Sequence, residues 1–231
     1  MVYMAFYESG GSSALPMELP QLITYVWLNQ ALLSLFNLFY KDQELFNLVK
    51  TGNIAYELAR PKNLYFMWYF KVIGQRLAMV LLRSIPFLIF LVILPEPYRI
   101  SLPVSLNHFF LFILTMITGT FLMTALITLY PIITMHTLNE KGVVGIIIAL
   151  ADILSGVVVP IPFFPKFLQK ISSILPFQYI SDLPFRIYVG NISIKEGLYG
   201  LIIQLIWLII LIIIGYTLMQ KSLKKVTVQG G

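Results

Sequence analysis

Charge is scarce in this chain. Of 231 residues only 11% are charged and 58% are hydrophobic, where soluble domains carry about 25% and about 45–50%. So few charges cannot cover a water-facing surface, whereas a bilayer tolerates apolar side chains on the outside. Cysteine is absent, which excludes disulfides, a thiol nucleophile and a cysteine metal site. The GxxxxGK[ST] pattern is missing, so nothing visible here cradles the phosphates of ATP. Neither HExxH nor GxSxG occurs, so a zinc or serine hydrolase lacks its parts and no enzyme is expected. The opening stretch, MVYMAFYESGGSSALP, has no basic region and no apolar core and does not read as a signal peptide.

Lys and Arg number 16 against 10 Asp and Glu. No basic run carries interleaved aromatics, so nucleic acid is not an expected partner. The excess fits instead the positive-inside bias of membrane loops.

Apolar runs are what the chain has in quantity. About 20 apolar residues cross a hydrocarbon core, and five segments qualify, at about 19–40, 77–94, 108–130, 143–159 and 198–219. The expectation is an all-α integral membrane protein with residues 1–231 as a single transmembrane domain. Arg83 interrupts the second segment, close enough to the helix end to snorkel to the headgroups. Lys41, Lys50, Arg60, Lys62, Lys71, Arg76, Lys141, Lys221, Lys224 and Lys225 fall on one side. Arg99, Lys166, Lys170, Arg186 and Lys195 fall on the other. The richer side is predicted to be cytoplasmic, with the N-terminus outside and the C-terminus inside. This orientation suggests a further helix upstream of the first segment.

Two stretches do not span. Residues 41–63 are mixed, with Leu45, Leu48 and Val49 at amphipathic helix spacing and Gly52-Asn53 as a break. A second short helix follows from Ile54 to Ala59, before Arg60-Pro61. Residues 160–195 are too apolar for a free loop and hold five prolines. They are predicted to form short helices dipping into the outer membrane face.

Asp152 is the one acid within a predicted span, by default a functional candidate. Gly145, Ala149, Asp152 and Gly156 recur at spacings that place them on one helix face, which suits close helix packing. Packing and gating are both open for this face. His108 and His136 end one helix on opposite sides and cannot share a metal. Trp27, Tyr25, Tyr40, Tyr65, Trp68, Tyr69, Tyr98 and Tyr130 read as an interfacial belt.

The stretch Thr51-Gly52-Asn53-Ile54-Ala55-Tyr56-Glu57-Leu58-Ala59-Arg60-Pro61 carries a resemblance. So do Leu154-Ser155-Gly156, Pro160-Ile161-Pro162-Phe163-Phe164-Pro165, Leu175-Pro176-Phe177, Leu183-Pro184-Phe185-Arg186-Ile187-Tyr188-Val189-Gly190 and Gln204-Leu205-Ile206-Trp207. Together they resemble the permease subunit of ABC-2-type exporters, in the viologen-exporter-type branch. The resemblance implies a type-V exporter fold with two permeases, identical or related, above two ATPase subunits that hold ATP and Mg. The family's first helix has no counterpart here. The resemblance makes Gly52, Asn53, Ile54, Ala55, Glu57, Leu58, Arg60 and Pro61 the coupling element that sits in an ATPase groove. A lipid-surface helix is the alternative from residues alone. It makes residues 160–190 extracellular re-entrant helices, with Pro160, Pro162, Phe163, Phe164, Pro165, Pro176, Phe177, Pro184, Phe185 and Gly190 as a gate.

The function so implied is ATP-driven export of a hydrophobic or amphipathic substrate (a drug, peptide or lipid) across a bacterial plasma membrane. A secondary transporter or channel needs paired intramembrane ions or broken helices related by a repeat, and no repeat is visible. A membrane-embedded enzyme or a non-catalytic membrane partner are the remaining readings.

Overall fold

The computed structural model describes residues 15–37, 42–54, 57, 62–96, 98–137 and 142–224. Among these, every regular element is helical. Helix α1 is Leu19–Phe36 and α2 is Gln43–Lys50. Helices α3 (Leu64–Ile93) and α4 (Leu106–Thr137) follow. Then come α5 (Val143–Leu154), α6 (Lys166–Ile174), α7 (Asp182–Tyr188) and α8 (Ile194–Leu223). Short 3₁₀ turns at Ile161–Phe163 and Phe177–Tyr179 flank α6.

Three of the described helices, α3, α4 and α8, are long and apolar enough to cross a membrane. At 30 to 32 residues each measures about 45 Å, well beyond an ~30 Å core. Helix α4 is the axis of the bundle, with 72% of its apolar window buried against 17% for α3 and 28% for α8. We call the end at which α1, α4 and α8 begin the upper end, and the opposite end the lower.

A central apolar helix must still house its polar side chains. In α4 the hydroxyls of Thr115, Thr120, Thr124, Thr128 and Thr134 each donate to the carbonyl four residues back, at 2.7–3.0 Å. The helix thereby satisfies its own hydroxyls without a partner. Helix α8 starts on a capping box, Ser193 with Glu196, and α3 starts on Asn63, which accepts from the Phe66 N–H.

The predicted spans need correction. The second begins at Leu64 rather than 77, because Lys71 and Arg76 are accommodated by protein partners inside the helix. Arg83 is therefore ten residues from the nearer helix end, about 15 Å along a helix of about 45 Å. The third runs through Pro131 to Thr137. The fourth stops at Leu154 after 12 residues, about 18 Å, and does not cross. The first ends at Phe36. Tyr25, Tyr65, Trp68, Tyr69 and Tyr130 are core residues, at 0–5% exposure, and not an interfacial belt.

Candidate functional site at a broken crossing

Helix α5 rises from the lower end and halts near mid-height. Residues 155–190 come down from the upper end to meet it. Their depth follows from the helices that hold them. The Gln204 side chain, ten residues into α8 and so about 15 Å down, donates to the carbonyls of Tyr179 and Thr115 at 2.7 and 2.9 Å. The Thr118 hydroxyl donates to the Gln204 Oε1. A Cβ on Gly119 would lie 2.6 Å from the Ile180 carbonyl oxygen, so only glycine lets α4 touch the turn there. The lowest part of the descending segment thus lies about 15 Å below the upper end of α8, a third of the way down that helix.

Non-helical backbone at that depth must find partners within the protein. Helix α1 supplies several of them. Its Asn29 amide donates to the Val157 carbonyl at 2.6 Å, and Gln21 donates to the Val189 carbonyl at 3.1 Å. The Tyr25 hydroxyl lies 2.8 Å from Asp182 Oδ1 and 3.1 Å from the Gly156 carbonyl oxygen, its one proton shared between two acceptors. Asp182 also accepts from the Ile161 N–H at 3.2 Å, and its other oxygen is 3.7 Å from Arg186 Nη1. Ser181 donates to the Ser155 carbonyl at 2.9 Å. Asp182 is 1% exposed. Here a buried carboxylate ties the end of α5, a 3₁₀ turn and α7 to α1.

Gly156 is the pivot. Its φ of +80° is left-handed, and a Cβ there would meet Asp182 Oδ1 and the Tyr25 hydroxyl at 2.9 Å. It lies past the end of α5, so it does not share a helix face with Gly145, Ala149 and Asp152. Helix α5 packs instead through Val144, Ile148, Ala151 and Leu154. Gly145 has open space beside it, Ala149 is exposed and Asp152 is half-buried.

The predicted gate residues separate into inner and outer sets. Pro160, Pro176, Phe177, Pro184 and Phe185 are buried, and the Phe185 ring stands edge-on to Tyr25 and Phe36 at 5.4 and 5.9 Å. Pro162, Phe163 and Phe164 are half-buried around the 3₁₀ turn, Pro165 is exposed ahead of α6, and Gly190 follows α7 against Val104.

At the lower end α2 is amphipathic. Asp42 caps it by accepting from Glu44 and Leu45 N–H groups at 3.0 and 3.2 Å. Leu45 and Phe46 are buried, with α4 among their supports. Lys71 of α3 pairs with Glu44 at 2.6 Å and Asp42 at 3.4 Å. Thr51, Gly52 and Asn53 stand exposed beyond the helix, and Glu57 is half-buried. Ile54 is 3% exposed, so it packs into this chain's own core and is not presented to a groove. Ala55, Leu58, Arg60 and Pro61 lie outside the described residues. Arg76, 1% exposed, donates to the Ser34 and Asn37 carbonyls at 3.1 and 2.8 Å, closing the C-terminal end of α1 with a positive charge.

Among the described residues no group of His, Asp or Glu is arranged to hold a metal. His108 contacts Ser105 at the upper end, and His136 contacts Ser222 at the lower, at 2.8 and 2.7 Å. The arrangement of the described residues is a membrane bundle with a broken crossing. Residues 2–230 match the model of the ABC-2 family transporter protein. The chain belongs to the ABC-2 transporter family. No curated protein and no solved structure matches it. As an ABC-2 family member it is a multi-pass membrane protein with the role of an ABC permease, a transport subunit whose family works with an ABC ATPase.

Of the residues that organise this ABC-2 chain, Gly156 was singled out from sequence, as part of a helix face, and Asp182 was not. Asp182 is one of several polar residues in a mixed segment, and its partner Tyr25 is 157 positions away. The available signal was Leu154-Ser155-Gly156, a break inside an apolar run.

Proposed function

We propose that this chain is the permease of an ATP-driven exporter, moving a hydrophobic or amphipathic substrate out of the cell. Two separate ATPase subunits, with ATP and Mg, would drive it beside a second permease. The observation that carries this reading is family membership in a chain that has no phosphate-binding loop. The lower end is the cytoplasmic one in this reading, since Lys50, Lys62, Lys71, Lys221 and Lys224 gather there. The exposed turn Thr51-Gly52-Asn53, with Glu57, docks in the ATPase groove. Helix α2 rests on α3 and on the central α4, so displacement of the turn is passed to the axis of the bundle. Apolar substrates suit a bundle whose described membrane-depth surface is almost wholly apolar. The host membrane in this reading is a bacterial plasma membrane.

The broken crossing favours a second reading, a secondary transporter or channel, because such proteins bind at interrupted helices. They do so with inverted or parallel repeats, and this chain shows none. Co-purification from native membranes in mild detergent separates the two. An ATPase subunit accompanies the wild type and is lost from Asn53→Arg with Glu57→Arg if the exporter reading is right. Wild type purifying without any ATPase would move the channel and structural readings forward.

A further inference from the structure

Three polar side chains leave the bundle at mid-height with no described partner: Gln30 of α1, Arg83 of α3 and Asp152 of α5. Gln30 and Arg83 are exposed and Asp152 half-buried. Arg83 stands among apolar neighbours, with Leu82 80% and Ile85 53% exposed. A lone arginine so placed is costly against lipid and is found almost always beside a partner or water. Helix α8 offers the contrast: from Gly197 to Gln220 its surface carries no charge, as a lipid-facing helix should.

Gln30 and Arg83 share one side of the bundle, and Asp152 belongs to the element that meets the other flank of α1. The Ser84 hydroxyl donates to the Ala31 carbonyl at 2.5 Å. Gln30 and Arg83 each precede one of these residues, so they stand at one height on adjacent, antiparallel helices. On the other flank of α1, Asn29 holds Val157, with Asp152 five positions earlier, roughly one helical turn or slightly more below. Read across this side, the order is α3 positive, α1 neutral amide, α5 negative.

We propose that this side is the contact face for a second copy of the chain, with Arg83 bridging Asp152 of the partner subunit. The proposal rests on the permease-pair reading above. Copies sharing a membrane orientation are related by a two-fold axis along the membrane normal, which keeps height and exchanges left for right. Helix α3 then faces the partner's α5, and α1 faces α1 near the axis. Opposite charges meet twice, with Asp152 about one helical turn below the partner's Arg83 and within reach of that long side chain, and the two Gln30 amides face each other. Lipid tails offer Arg83 no such neutralisation.

The absence of cysteine gives a clean test. Two differently tagged copies are co-expressed, one with Arg83→Cys and the other with Asp152→Cys, and treated in membranes with a short thiol–thiol cross-linker. An Arg–Asp bridge separates its Cα atoms by more than a disulfide spans, hence the linker. The expected result is a mixed-tag dimer, about tenfold above either cysteine copy with a wild-type partner. In a second arm Arg83→Asp and Asp152→Arg each lower co-capture of the two tags, the double exchange restores it, and Arg83→Lys leaves it unchanged. Tags that co-purify without the cross-link overturn this face and leave the permease pair standing. An ATPase that co-purifies while the tags do not associate makes the partner a different chain, overturning the proposal alone. Loss of both ATPase and pairing overturns the functional reading as well.

Discussion

The Gln204 amide of the last helix donates at 2.7 Å to the Tyr179 carbonyl, the point where the descending segment turns back. One side chain thus anchors a backbone turn that lipid could not satisfy. Replacing it with leucine keeps the bulk and strips the donors, leaving the carbonyls of Tyr179 and Thr115 less satisfied. Gln204→Leu should lose about 1–3 kcal/mol, read as a lower melting temperature in detergent. A melting temperature equal to wild type would mean that this clasp contributes little.

Tyr25→Phe removes only the oxygen that serves Asp182 and Gly156. The Phe185 ring contact is kept, so packing is a weak confounder. The expected loss is about 1–3 kcal/mol, because two buried acceptors lose a donor. Thermal unfolding should show it, and Asp182→Asn combined with Tyr25→Phe should cost less than the sum of the two single changes.

Gly156→Ala puts a methyl into the 2.9 Å gap against Asp182 and forces alanine into a left-handed conformation. It should destabilise by well over about 1 kcal/mol, seen as reduced monodisperse yield. Gly145→Ala, in open space on α5, should be neutral to stabilising by about 1 kcal/mol and serves as the control.

Arg76→Met should be among the most damaging changes on α3, because it removes the cation that closes α1 and leaves its last carbonyls buried. We expect about 3 kcal/mol or more, measured by unfolding in detergent. Glu44→Gln, by contrast, weakens a pair whose acid is 73% exposed and should shift stability by no more than about 0.5 kcal/mol.

The long helices were legible wherever the apolar run was unbroken, as in α8. The start of α3 was hidden because Lys71 and Arg76 look like loop residues until Glu44, Asp42 and the end of α1 are known to receive them. The overlong reading of α5 came from Val157-Val158-Val159, apolar residues that continue the run after the backbone has turned at Gly156. The spacing that put Gly156 with Asp152 assumed one helix through both. Asp182 was invisible for a different reason: its burial is a property of α1, which reaches it only in three dimensions. At the lower end, sequence placed the amphipathic face of α2 correctly but assigned Ile54 outward, where the bundle takes it in.

The broken crossing also imposes an order on biogenesis. Helix α5 is too short to remain across a bilayer alone, and the segment after it exposes carbonyls that α1 and α8 must satisfy. Of these, α8 is synthesised last, and Gln204 lies well inside it. The chain therefore carries an unfinished half-crossing until its final helix has entered the membrane. Nascent chains halted before Gln204 should remain open to proteases or membrane quality control, however many helices they have already inserted.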